Sequence, residues 1–211
     1  MRPPEPWIAR ERAVLSRLGT PGAVQRFLDG LRYSDDGRYR SPRSVLRDRR
    51  AHCFDGALFA AAALRRLGHE PLLVDLRAVR DDDHVIALFR SRGRIGAVAK
   101  SNFVGLRFRE PIHRTVRELV LSYFEPYYNL RREKTLRSYS GPVSLRPFDR
   151  LDWLTRDETM DLIAERLDAA RHFPLVTRAQ AARLSRVDDR SYRAGMVGVN
   201  AAGLYRPGRS G

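Results

Sequence analysis

The most constraining stretch of the chain is Cys53 to Gly68, CFDGALFAAAALRRLG. Leu58, Ala61, Ala62, Leu64 and Leu67 recur at helical spacing and form a broad apolar stripe, while the other alanines allow close packing on the remaining faces. Gly68 supplies a stop signal. A helix this apolar has to be buried, so the rest of the fold must cover it. Its first turn carries Cys53, the single cysteine of the protein. Unpaired N–H groups and the positive end of the helix dipole favour thiolate over thiol at such a position, which is one way a nucleophile is made. The same stretch also accommodates the cysteine as a small inert side chain among alanines.

Composition narrows the function classes. At 43% hydrophobic and 31% charged residues, the 211-residue chain has the make-up of an ordinary globular domain. No apolar run is long enough to span a membrane, and Met1 to Trp7 lacks the apolar core of a secretion signal. One cysteine excludes an internal disulfide and fits a cytoplasmic location. The formal charge of +15 invites an acidic partner. Almost all the excess is arginine, however, scattered from Arg2 to Arg209, so the expectation is broad charge and not a nucleic-acid groove.

Along the chain, Trp7 to Leu18 reads as a helix. Thr20-Pro21 and Ser41-Pro42 each open another with a cap followed by proline. Three strand candidates follow the cysteine helix: residues 71–79, 84–90 and 95–101. The last two form a hairpin about Arg92-Gly93. Both faces of these strands are apolar, so both are expected to be covered. Past Pro111 the chain reads as helical at Thr115 to Phe124, and as extended or irregular from Leu136 to Phe148. A further helix opens at the capping box Thr155 to Glu158, and a short one at Thr177. The aromatic group Tyr123, Phe124, Tyr127 and Tyr128 should pack this part onto the core. From Asp188 onward the composition predicts a weakly ordered tail.

His84 opens the second strand and can meet the start of the cysteine helix, where an imidazole could take the thiol proton. With the turn at Arg92-Gly93, the hairpin register places Ser101 opposite His84, and a slip of one brings Lys100 or Asn102 there. A third member must orient the ring. Asn102 suits that chemistry best and Ser101 suits the simple register, whereas Lys100 offers no acceptor. Asp81, Asp82 or Asp83 could serve by folding back. His52, Cys53 and His84 with Asp55 or Asp81 make a poor metal set, having no close second ligand pair. Gly93 and Gly96, like Gly195 and Gly198, lack the setting of a phosphate loop. No metal or cofactor is therefore expected.

Two motifs carry a resemblance. Cys53-Phe54-Asp55-Gly56-Ala57-Leu58, running to Arg65-Arg66-Leu67-Gly68, and then His84-Val85-Ile86-Ala87-Leu88, are similar to the cysteine and histidine motifs of the transglutaminase-like superfamily. The resemblance covers roughly Val24 to Asn102. It implies an α+β, papain-like core with the cysteine helix packed on an antiparallel sheet. It also implies a thiol-dependent hydrolase or acyltransferase acting on a peptide, protein or small amide, with Cys53 as nucleophile and His84 as base. The family's usual aspartate is missing, and Asn102 or Ser101 stands in its place. The corresponding domain plan is a core with N-terminal helices over 1–111, a mostly helical extension over 112–187 and a tail over 188–211. A non-catalytic papain-like domain that binds a protein or nucleic acid through its basic surface is the alternative.

Overall fold

A computed structural model describes residues 6–205. Met1 to Glu5, part of the stretch read above for a secretion signal, and the last six residues of the expected tail lie outside the described residues. Helices α1 (Ala9–Ser16) and α2 (Pro21–Asp29) come first, then strand β1 (Arg32–Tyr33), helix α3 (Pro42–Asp48), strand β2 (Arg50–Ala51) and helix α4 (Cys53–Arg66). Strands β3 (Leu72–Ala78), β4 (His84–Ser91), β5 (Arg94–Val98) and β6 (Arg109–His113) follow. Helix α5 (Val116–Leu121) leads to β7 (Leu136–Ser140) and β8 (Val143–Ser144). The chain ends with α6 (Met160–Asp168), β9 (His172–Pro174), α7 (Arg178–Ala181) and α8 (Asp189–Gly195).

The caps read from the sequence at Thr20 and Ser41 form: the two side chains accept from Ala23 N–H and Ser44 N–H. Thr155 does not cap the helix it was expected to open. Asp157 of that box instead accepts from the backbone N–H and hydroxyl of Ser41 at 2.9 and 2.7 Å. A tight turn over Asp157–Thr159 therefore precedes α6.

The architecture is α+β. The main sheet is antiparallel, in the order β6-β5-β4-β3-β7-β9, with β8 also paired to β3. β1 and β2 form a separate parallel pair. The β4–β5 register is the one the turn dictates, Ser91 facing Arg94 and Ala87 facing Val98. Alternation then sends Leu73, Val85, Ala87, Phe89 and Val98 to the face covered by α4. Val74, Leu76, Ile86, Leu88 and Ala97 go to the other face, beneath Leu119, Val120, Tyr123 and Tyr127. The cysteine helix is thus pressed on one side of a sheet that is covered on both, and the aromatic group does pack the later chain onto the core.

Residues 112–187 are not a mostly helical extension. β7, β8 and β9 complete the same sheet by pairing on and beyond β3. The two outermost strands, β6 and β9, contain Pro111 and Pro174, which an edge position tolerates because no partner lies outside. The segment expected as a tail folds as far as Tyr205, through α8 and a tight turn over Ala201–Gly203. No helix among the described residues is long and apolar enough to cross a membrane.

Candidate active site

Cys53 is the first residue of α4, and its position is set by the residue before it. His52 caps the helix: its Nδ1 accepts from Asp55 N–H at 3.3 Å, and the Asp55 carboxylate accepts from His52 N–H at 3.4 Å. Asp55 is completely buried and also accepts from Arg40 N–H at 2.9 Å. The Arg40 guanidinium, 3% exposed, reaches Asp36, Asp48 and Asp55 at 2.5, 3.1 and 3.8 Å. One buried arginine therefore ties the loop after β1, helix α3 and the first turn of α4 together. The first turn is also held from above. Gly56 packs so close to Lys100 that a Cβ there would lie 2.2 Å from Lys100 Cβ.

The half-buried thiol of Cys53 donates to the Asp83 carbonyl at 3.7 Å. Burial pushes it up to about 12, and the Asp82 and Asp55 carboxylates add to the shift. Backbone N–H groups of Val85 and Phe54 pull the other way. The helix start does not by itself make a thiolate here, because desolvation outweighs it.

His84 begins β4 with its ring on the face opposite α4, edge-on to Tyr123 and Tyr127 at 6.4 Å from each. Its Nε2 lies 2.8 Å from the Leu106 carbonyl. A carbonyl can only accept, so this contact places the proton on Nε2 and leaves Nδ1 as the basic nitrogen. Nδ1 makes no hydrogen bond among the described residues, and none joins His84 to Cys53. Burial pushes the imidazole down to about 4, opposed by the Leu106 contact. Both residues line a cavity of about 30 Å³ at the end of the strand. Cys53 also faces a larger cleft of about 840 Å³, bounded by Tyr39, His52 and the carboxylates of Asp35, Asp36, Asp75 and Asp168. In a chain of charge +15, this cleft is notably acidic. Asp75 on its wall is held by His172 Nε2 at 2.9 Å.

The third position is filled differently from the expectation. The β4–β5 ladder stops at Val98 because Gln25 of α2 captures the next residue. Its side chain accepts from Ala99 N–H at 3.1 Å and donates to Ala99 carbonyl at 2.9 Å. The chain then turns away from β4. Lys100 runs inward to the Leu28 and Leu31 carbonyls at 2.8 and 2.6 Å, and Ser101 Oγ accepts from Phe103 N–H. Asn102 lines the small cavity, but its amide is bonded to Asn200 and Gly203 and does not orient His84. Asp81 accepts from Thr135 and Asp83 from Ala78 N–H, and among the described residues no hydrogen bond joins Asp81, Asp82 or Asp83 to the His84 ring. The main-chain carbonyl of Leu106 does that work. No side-chain pattern could have announced it, whereas the His52–Asp55 spacing of a capping box was open to reading.

Among the described residues no group of three or more His, Cys, Asp or Glu side chains could hold a metal ion. No protein-family model matches the chain, and no curated protein matches it.

Proposed function

We propose that the protein is a thiol-dependent hydrolase or acyltransferase acting on amide or ester carbonyls, with a papain-like, transglutaminase-like site at Cys53 and His84. The observation that carries the reading is the fixed His84 ring. Its Nε2 is anchored on Leu106 and its Nδ1 makes no hydrogen bond among the described residues, beside a cavity shared with the first residue of a buried helix. A thiol held up near 12 and an imidazole held down near 4 describe a neutral pair. His84 Nδ1 takes the Sγ proton as sulfur bonds to the substrate carbonyl carbon, and the imidazolium then returns it to the departing amine or alcohol. An acyl-thioester on Cys53 remains. Water attacks it in hydrolysis and an amine in transfer, His84 again accepting the proton. The N–H groups of Val85 and Phe54 near the sulfur are the available donors for the developing oxyanion.

A second reading has its own support. The raised thiol, the surrounding carboxylates and the lack of a Cys53–His84 hydrogen bond suit a non-catalytic domain whose cysteine is only packed. Mass spectrometry after brief exposure to an activated ester separates the two. The proposal expects a single acyl adduct on Cys53 that turns over. It expects loss of the adduct in Cys53→Ser and a fall of roughly 100-fold or more in rate in His84→Ala. An adduct that forms equally slowly with and without His84 supports the packed cysteine.

A further inference from the structure

The segment after α8 lines the same site without taking part in the proposed chemistry. Asn102 grips its main chain from both sides: Oδ1 accepts from Asn200 N–H at 2.8 Å, and Nδ2 donates to the Asn200 carbonyl at 2.9 Å and the Gly203 carbonyl at 3.2 Å. Asn200 in turn donates its amide to the Tyr33 carbonyl at 3.4 Å and accepts from Ala202 N–H at 3.1 Å, which closes the turn over Ala201–Gly203. Gly203 packs closely against the Tyr33 ring, where a Cβ would be 2.7 Å from Tyr33 Cδ1. Tyr33 and Gly203 line both the small cavity and the larger cleft together with Cys53, and Ala202, Leu204 and Tyr205 extend along the cleft. Apart from the Asn200–Ala202 bond inside the turn, every polar contact named here runs between this segment and Asn102 or Tyr33 of the Cys53 site.

We infer that residues 200–205 are an autoinhibitory strap across the Cys53 cleft, latched by Asn102 and seated on Tyr33. The word inhibitory rests on the function proposed above; the covering of the thiol does not. Asn102 is thus a positioning residue for the strap, and Gly203 is small because a side chain would lift the strap from Tyr33. Release of the latch opens the sulfur to a substrate carbonyl, and the acidic wall of the cleft is uncovered with it.

The test is the rate of Cys53 alkylation by iodoacetamide at fixed pH, in the full chain and in two point variants. Asn102→Ala removes the latch, and Gly203→Val crowds the strap against the Tyr33 ring, 2.7 Å from Cδ1, while keeping the Asn102 amide. Both are expected to alkylate faster, Asn102→Ala by roughly 30-fold or more, the factor that the loss of two or three ordinary hydrogen bonds would give, with an unchanged thermal midpoint for Gly203→Val. Rates equal to wild type in both variants overturn the strap. So does acceleration in Asn102→Ala alone, which would mean only that the loop had loosened. Alkylation reads access to the sulfur and not acyl transfer. Faster alkylation in a chain that forms no acyl-enzyme therefore upholds the strap while defeating the proposed function, and an active enzyme with unaltered variants does the reverse.

Discussion

Gly56→Ala tests how the first turn of the cysteine helix is held. Two effects oppose each other. Alanine is the better helix former by about 0.8–1 kcal/mol. Its Cβ, however, would stand 2.2 Å from Lys100 Cβ, 3.2 Å from Cγ and 3.4 Å from Cα. Lys100 has nowhere to retreat: its ammonium is held by the Leu28 and Leu31 carbonyls, and Gln25 holds the backbone at Ala99. Overpacking of this kind costs about 1–3 kcal/mol, and a contact so close to a fixed backbone belongs at the upper end. The net loss is about 2 kcal/mol, which lowers Tm by about 4–8 °C in a chain of this size. Thermal unfolding followed by circular dichroism reads it directly. Lys100→Gly removes the atom that is struck, so the double variant should recover at least about 1 kcal/mol relative to additivity. A Tm at or above wild type for Gly56→Ala would refute the reasoning, since propensity alone would then account for the position.

Two further perturbations address the same region. Arg40→Met leaves Asp55 buried without its cation and should cost about 3–5 kcal/mol, read as a lower urea midpoint; a change below about 1 kcal/mol would show that the cluster does not bind the first turn of α4. Acid should destabilise the fold through His52 and His84, both held down to about 4 by burial. The unfolded chain takes up these protons near pH 6.5 and the folded chain does not, so the histidine contribution to stability falls as pH drops from about 6.5 to about 4, by up to about 3 kcal/mol per ring, while Asp55 and Asp81, held up to about 7 and about 6 by burial, contribute with the opposite sign. His52→Asn keeps a cap without a titrating group and should remove roughly half of that slope.

How much of this could be read from the chain depends on how local its causes are. The cysteine helix was legible because its apolar stripe and alanines leave no alternative to burial. The hairpin register was legible because Arg92-Gly93 fixes which residues face one another. The point where the ladder ends was not, since Gln25, far earlier in the chain, decides it by capturing Ala99. β6 and β9 were missed because they are short and carry proline, which an edge permits but a sequence scan reads as a break. The polar residues beyond Asp188 resemble a tail; contacts to Asn102, Tyr33 and Tyr128 give them a place. The state of the thiol also escaped local reading. The helix start acts on any cysteine at that position, while burial and the carboxylates of Asp82 and Asp55 come from the tertiary fold.

The pH dependence of Cys53 acylation by an activated ester tests the central claim most directly. If neutral His84 takes the thiol proton during attack, the rate needs only an unprotonated imidazole and an intact thiol. With His84 held near 4 and Cys53 near 12, it should stay level from about pH 5 to pH 9 and fall below about pH 4. His84→Ala should abolish that plateau. A wild-type rate that instead climbs about tenfold with each pH unit across this range, and does so identically in His84→Ala, would mean that only free thiolate reacts. His84 would then have no part in the chemistry.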